Sequence, residues 1–231
     1  KVLAFTDDDS IVDPKWLTQL VAGYTTTQVG GVGGRVIPVE NDRVRPRALR
    51  KDLRIGRVDE DGTVTSNFDL PSEGVLEVDH LAGPNMSFRR EVFECLGGFD
   101  ERYIGNGYRF ETDWGVQVHR AGFTLFFDPH AVVLHRRAPT GGNRVRTEEW
   151  FYWYARNHIY FLAKNFPHLR VARCRFALQF LLQVARRKRI PAHLGRYTHG
   201  RAMVRACCGV AEGFRCGNHS LLTSRTSHSS K

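Results

Sequence analysis

Hydrophobic residues are arranged along the chain in two patterns, short strand-like runs and helical spacings. The runs fall at 2–5, 29–38, 76–81, 123–127 and 131–134. Runs of this length are typical of β-strands, and the first, which stops abruptly at acidic residues, is typical of a buried parallel strand. The first part of the chain is therefore predicted to contain a sheet.

Helical spacing begins between these runs and dominates beyond residue 140. Asp13 and Pro14 form an N-cap and first-turn proline for a helix whose apolar residues Trp16, Leu17, Leu20 and Val21 follow at helical spacing. Further helices are predicted before Gly97, at 111–120, and at 148–165, 171–187 and 192–214. The pattern predicts an α/β domain over 1–140, a flexible break at 139–142, a basic helical region over 141–217 and a disordered tail over 218–231.

The charge is distributed unevenly. Residues 1–135 carry 15 basic and 21 acidic side chains, whereas residues 136–231 carry 19 and 3, within a net charge of +10. Basic helices with interleaved apolar residues are attracted to anionic lipid or nucleic acid, although a solvated helix face gives the same pattern. Nucleic acid is disfavoured, because the chain has no recognised binding motif or aromatic platform.

The cysteine pattern and the hydropathy of the chain indicate the cellular compartment in which it is expected. The five cysteines are odd in number and lack C-x-x-C pairs, which favours a reduced, cytosolic environment. No stretch reaches the roughly 18 consecutive apolar residues that a membrane span requires. A cytoplasmic protein is expected, with the basic tail able to hold it peripherally on the inner face of the cell membrane.

Acidic and imidazole side chains follow the predicted strands or begin a helix. Asp7, Asp8 and Asp9 end the first strand, Glu111 and Asp113 lie in the first turn of a helix, and His135 follows the last strand. Strand ends in open α/β sheets converge on one edge, so these residues are expected to share a site. A solvated acidic turn and a hydrogen-bonded histidine are the alternatives.

Four segments resemble, in their order and in their residue patterns, the family 2 glycosyltransferases of the GT-A fold. They are FTDDDSIVDPKWL at 5–17, GPNMSFRREVFECLGGFDE at 83–101, RFETDWGVQVHRAGF at 109–123 and DPHAVVLH at 128–135. The resemblance covers about 1–165 and implies a Rossmann-like, mostly parallel sheet in a partial GT-A domain, followed by the helical tail.

The resemblance implies a metal site and a general base. Asp9 and Asp7 match the family's D-x-D pair, which with His135 implies a Mg²⁺ or Mn²⁺ site. Glu111 matches the family's catalytic base. Family members usually have a glutamate just before this base, whereas this chain has Phe110, so Glu111 and Asp113 remain alternatives for the base.

Further residues match the donor and acceptor cleft of the family. The predicted binding residues are Asp7, Asp8, Gly83, Asn85 and Trp114. Asn85 could instead belong to a turn at a helix entry, and Trp114 could instead be a core residue.

The implied function is an inverting, divalent-metal-dependent glycosyltransferase in cell-surface polysaccharide or glycoconjugate synthesis. A nucleotide-sugar donor, with UDP-sugar favoured, would react with a saccharide or lipid-linked acceptor. In the resemblance about a third of the catalytic domain precedes the D-x-D pair, so this chain is expected to be a fragment that binds donor poorly by itself. The alternative is a catalytically inactive carbohydrate- or partner-binding module on the same fold.

Overall fold

The computed structural model describes residues 1–40, 43–44, 50–136, 145, 147–187 and 198–226. The chain divides into two compact units. The sheet unit comprises Lys1–Asp100 and Glu111–Pro139, and the helical unit comprises Glu101–Phe110 and Thr140–Lys231. The predicted flexible break at 139–142 lies outside the described residues, as do 192–197 of the last predicted helix.

Seven strands of the described residues form one mixed sheet in the order β1-β8-β3-β9-β2, with β4 on β3 and β7 on β9. Their bounds are β1 Val2–Phe5, β2 Ser10–Val12, β3 Val29–Glu40, β4 Arg43–Val44, β7 Leu76–Val78, β8 Met86–Arg89 and β9 Thr124–Arg136. A separate hairpin pairs β5 Arg57–Val58 with β6 Val64–Thr65. The predicted α/β class is confirmed.

The strand directions follow from how the strands are connected. β3 and β9 are parallel and form the longest ladder. Parallel strands need a long crossover connection, and the connection here ends with helix α3, Phe110–Arg120. The other pairings of the sheet are antiparallel, so the predicted parallel arrangement holds for β3 with β9 and not for the shorter ladders.

The prediction of a buried parallel strand at 2–5 is wrong. In the described residues β1 pairs only with β8, antiparallel, and its side chains are partly exposed. An apolar run of four residues is compatible with an edge strand as well as with a central strand. Its length also does not determine whether the neighbouring strand runs parallel or antiparallel to it.

One strand replaces the two predicted at 123–127 and 131–134. β9 runs without interruption, but its register against β3 shifts where Gly34 pairs with Asp128 and Arg35 pairs with Val132. Here the Asp128 carboxylate accepts a hydrogen bond from the His130 backbone N–H at 2.8 Å. A Cβ on Gly34 would clash with the Ala131 carbonyl oxygen, so this position requires glycine.

Three helices lie in the sheet unit, except that the first residue of α3 belongs to the helical unit. They are α1 Trp16–Ala22, α2 Arg90–Cys95 and α3 Phe110–Arg120. Trp16 and Leu20 of α1 bury their side chains with Val29, Val32 and Val133 of the sheet. Helical spacing therefore predicted the helix, but of its four apolar residues only Trp16 and Leu20 are buried, whereas Leu17 and Val21 are exposed.

The helical unit contains α4 Glu149–Asn165, α5 Arg170–Ala185 and α6 His199–Thr226. The predicted disorder of 218–231 is wrong for 218–226, which continue α6, and 227–231 lie outside the described residues. Serine and threonine lower helix propensity by only a fraction of a kcal/mol each, so a preceding helix can extend through them. Among the described helices, none combines the length and hydrophobicity that a membrane span requires.

Three glycines bring α6 close to α4. Gly209, Gly213 and Gly217 recur every four residues on one face of α6. A Cβ on Gly209 would clash with the Tyr152 backbone, and a Cβ on Gly213 would lie 2.8 Å from the Ile159 Cβ. The absence of side chains at these positions thus allows the two helices to approach closely.

Replacing Gly209 by alanine is expected to lower the free energy of unfolding by about 1–3 kcal/mol, because the helices must move apart. Gly200→Ala is the matched control in the same helix, since nothing lies within 4 Å of its added Cβ. Its unfolding free energy should stay the same or rise slightly. Urea denaturation followed by circular dichroism compares the two; equal effects would show that α4 and α6 are not closely packed.

Candidate metal and catalytic site

The β2–β9 ladder places His135 beside the acidic turn. Asp7 and Asp9 lie between β1 and β2, and Ser10 at the start of β2 pairs with His135 near the end of β9. The Ser10 N–H donates to the Asp7 carbonyl at 3.1 Å, and the Arg136 N–H donates to the Asp9 carbonyl at 2.9 Å. Backbone hydrogen bonds therefore hold both ends of the turn.

Three side chains converge at this turn and are called the acidic triad: Asp7, Asp9 and His135. The His135 Nε2 lies 3.0 Å from an Asp9 oxygen and 3.7 Å from an Asp7 oxygen. One ligand atom from each residue lies within 4.8 Å of the other two. The side chains of Asp9 and His135 are 12% and 14% exposed, whereas that of Asp7 is 48% exposed, so the triad is open to solvent on the Asp7 side.

The donor set of the acidic triad fits a divalent cation. Two carboxylates supply hard oxygen ligands, and one imidazole supplies a nitrogen that Mn²⁺ tolerates better than Mg²⁺ does. Three protein ligands with one open side leave coordination positions for water or for phosphate oxygens. Asp8 is exposed and is not part of the triad.

The two alternatives for the general base differ in exposure. Both lie in the first turn of α3, where the helix dipole stabilises carboxylates. Asp113 is buried, at 2% exposure, whereas Glu111 is partly exposed. A base must reach the hydroxyl of a bound acceptor, so the geometry favours Glu111.

A buried polar network in the helical unit holds the loop that leads to α3. The Arg109 Nε donates to the His158 Nδ1 at 3.2 Å, and the Asn157 amide donates to the Ile104 carbonyl at 3.0 Å. Arg109 has a φ of 79°, which non-glycine residues rarely adopt. Burial, and secondarily the Arg109 charge, hold the pKa of His158 well below its ordinary value, so His158 is neutral and can accept.

Sequence reasoning missed this network. The signal available was the run Arg156-Asn157-His158 inside a helix whose other residues are largely apolar. Polar residues in the buried part of a helix need partners, so the run indicates a network. Arg109 lies two positions before Glu111 and is fixed by these contacts.

The prediction that Asn85 binds a sugar is wrong. Asn85 is fully buried, and its side-chain oxygen accepts a hydrogen bond from the Trp16 indole at 2.8 Å. Its amide donates to the carbonyls of Arg35 at 3.1 Å and Ala131 at 2.7 Å. Asn85 therefore links α1, β3 and β9 and has no surface for a ligand.

Asn85→Ala is expected to lower the free energy of unfolding by about 3 kcal/mol or more, because it leaves several buried groups unpaired at about 1–3 kcal/mol each. Thermal and urea unfolding measure the loss. The exposed amide Gln179 is the control, and Gln179→Ala should change stability by less than about 0.5 kcal/mol. A small loss for Asn85→Ala would contradict the structural role.

The prediction that Trp114 walls an acceptor pocket is also wrong. Trp114 is 2% exposed and packs edge-on or tilted against Phe88, Phe93 and Phe99 at centroid distances of 5.1–5.8 Å. It is a core residue. Gly83 is half-buried in a turn closed by the Asn85 N–H on the Ala82 carbonyl at 2.9 Å, and its role in ligand binding stays a prediction.

Comparison with known proteins relates the chain to glycosyltransferases. An N-acetylglucosaminyl-diphospho-decaprenol L-rhamnosyltransferase of Mycobacterium tuberculosis is 39% identical over 72 residues, which are 31% of this chain and 22% of that protein. The succinoglycan biosynthesis protein ExoM of Rhizobium meliloti is 29% identical over 59% of this chain and 40% of its own length. A glucosyl-dolichyl phosphate glucuronosyltransferase of Haloferax volcanii is 32% identical over 52% of this chain and 34% of its own length. The chain thus spans between about a fifth and two fifths of these curated relatives.

Solved structures similar to the chain are also glycosyltransferases. GalNAc-T7 with UDP, GalNAc and Mn²⁺ matches 74% of this chain and 35% of its own at 16% identity, with a TM-score of 0.48. The mannosyltransferase PcManGT of Pyrobaculum calidifontis with GDP-Man and Mn²⁺ matches 100% of this chain and 56% of its own at 18% identity, with a TM-score of 0.44. No protein-family model matches the chain. By sequence, the chain is similar to glycosyltransferases of the family 2 type.

Proposed function

We propose that the chain carries the metal-binding and acceptor-activating part of an inverting glycosyltransferase that uses a nucleotide-sugar. The convergence of Asp7, Asp9 and His135 at the turn between β1 and β2 carries this proposal. Two carboxylates and an imidazole from distant parts of the sequence lie close enough to share one cation. A solvated acidic turn would not require a histidine from β9 at 3.0 Å.

Bound to this triad, Mg²⁺ or Mn²⁺ would neutralise the charge that develops on the departing nucleoside diphosphate. Asp9 and His135 are the main ligands because they are held by the β2–β9 ladder and largely shielded from water. The more exposed Asp7 contributes from the open side, where the phosphates would enter.

Glu111 is the proposed general base. Its carboxylate takes the proton of the acceptor hydroxyl as the hydroxyl oxygen attacks the anomeric carbon and the bond to the diphosphate breaks. A single displacement inverts the anomeric configuration and needs no carboxylate nucleophile. Asp113, buried in the first turn of α3, is proposed to support the helix start and not to exchange protons with substrate.

The donor and acceptor are proposed by class. Two relatives carry decaprenol or dolichyl phosphate in their names, and a third takes part in succinoglycan biosynthesis. A lipid-linked saccharide is therefore the favoured acceptor and cell-surface polysaccharide or glycoconjugate synthesis the favoured role. A UDP-sugar is the favoured donor, and a cytoplasmic position at the inner membrane face would bring the protein to such an acceptor.

The test uses the full-length gene product with a panel of nucleotide-sugars and lipid-linked acceptors. Release of nucleoside diphosphate that requires Mn²⁺ or Mg²⁺, together with a product of inverted anomeric configuration by NMR, is expected. Retention of configuration would contradict the role of Glu111. Saturable saccharide binding without any release would instead identify a binding module and overturn the enzymatic proposal.

A further inference from the structure

Helix α5 carries apolar side chains on two opposite faces. One face buries Arg173, Ala177, Phe180 and Val184 within the helical unit, Phe180 and Val184 in a cluster with Phe151 of α4 and Ala206 of α6. The opposite face presents Val171, Leu178 and Leu182, which are 80%, 61% and 42% exposed. At 100° per residue these three side chains lie within about 40° of one another, so they share one outer face, called the outer stripe, on which Arg175 lies between Val171 and Leu178.

Positive charge surrounds the outer stripe. Arg170, Arg175, Arg186 and Arg187 are all exposed along α5 or just beyond its end. The stretch 150–211, which includes all of α5, contains 12 basic residues and no aspartate or glutamate. A helix that exposes leucines between arginines and contains no acidic residue of its own has the composition of an interfacial helix.

We propose that the outer stripe of α5 lies on anionic membrane lipid. Leucine and valine side chains would enter the boundary between headgroups and acyl chains, while the arginine stems reach outward to place their charges on lipid phosphates. A second copy of the chain is a poorer partner, because two such basic faces would repel each other. This binding is independent of the proposed catalysis, so a chain without transferase activity would still show it.

Vesicle flotation tests the proposal with the whole chain. Vesicles containing phosphatidylglycerol should bind the protein, and vesicles of phosphatidylcholine alone should bind it weakly. The double variant Leu178→Gln, Leu182→Gln should lower the partition coefficient on anionic vesicles by a factor of about 10 to 100. The exposed parts of the two side chains together equal about one whole leucine, whose burial in the membrane the variant removes. Arg175→Gln should lower it about fivefold, and the effect should shrink with added salt.

The matched control lies on α1. Leu17 and Val21 are 55% and 52% exposed and share the four-residue spacing of Leu178 and Leu182. Leu17→Gln, Val21→Gln should leave partitioning unchanged, and circular dichroism should show that both double variants keep the helical content of the parent. Equal losses in the two variants would overturn the assignment to α5, as would binding to neither type of vesicle.

A fluorescent label provides a second measurement without altering the stripe. Cys174 is exposed on α5 beside the stripe, and Cys95 is exposed in α2 of the sheet unit. In single-cysteine variants, an environment-sensitive fluorophore on Cys174 should shift to shorter wavelength with anionic vesicles, whereas one on Cys95 should not. Self-association that Leu178→Gln, Leu182→Gln abolishes, with no shift at Cys174, would assign the stripe to a second copy and overturn the proposal.

Discussion

Glu111→Gln is expected to lower the turnover number of the full-length gene product by a factor of about 10² to 10⁴, the usual contribution of a general base. Glutamine keeps the size of the side chain and the helix start but cannot accept the acceptor proton. The Michaelis constant for the donor should stay within about twofold, because the base does not hold the nucleotide. Steady-state kinetics with donor and acceptor varied separately measures both quantities.

Asp113→Asn separates the two acidic residues of α3. Asp113 is buried, so Asp113→Asn should lower the free energy of unfolding while the protein that remains folded keeps most of its turnover. Glu111→Gln should have the opposite effect, a large loss of turnover with the free energy of unfolding nearly unchanged. If Asp113→Asn abolishes turnover in a stably folded protein and Glu111→Gln does not, the roles of the two residues are reversed.

Asp9→Asn is expected to reduce Mn²⁺ affinity by more than about 100-fold, since loss of even an indirect partner of a metal ligand costs about 10- to 100-fold. Turnover at fixed low Mn²⁺ should fall accordingly, and high Mn²⁺ should restore only part of it. Isothermal titration with Mn²⁺ gives the affinity. Asp8→Asn is the matched control, because Asp8 is an exposed neighbour outside the triad. Equal effects of the two substitutions would indicate a diffuse acidic turn without a defined site.

Sequence patterns predicted the elements better than their pairing. Helical spacing located α4 and α5 to within one or two residues, because apolar side chains repeat on their buried faces. The direction of β1 and the unbroken course of β9 could not be predicted, because partner and register depend on residues far away in the sequence. The bulge opposite Gly34 keeps β9 continuous through Pro129, which sequence reasoning took for a break.

The acidic triad could be predicted because its chemistry and order are specific. Carboxylates two positions apart after one strand and a histidine after another match a known motif, and the structure brings them within 4.8 Å of one another. The predictions that Asn85 and Trp114 bind sugar were wrong for the opposite reason. Amide and indole groups occur both in protein cores and in sugar-binding sites, and only the packing around them shows which of the two roles they have.

Pulsed electron paramagnetic resonance of Mn²⁺ bound to the chain tests the acidic triad most directly. The account predicts one bound ion per chain, with a nitrogen coupling from an imidazole that disappears in His135→Ala and with binding weakened in Asp9→Asn. His130, an exposed histidine of the same strand, is the control, and His130→Ala should keep the coupling. A bound ion without nitrogen coupling, or a coupling that survives His135→Ala, would contradict the assignment of Asp7, Asp9 and His135 as the metal site.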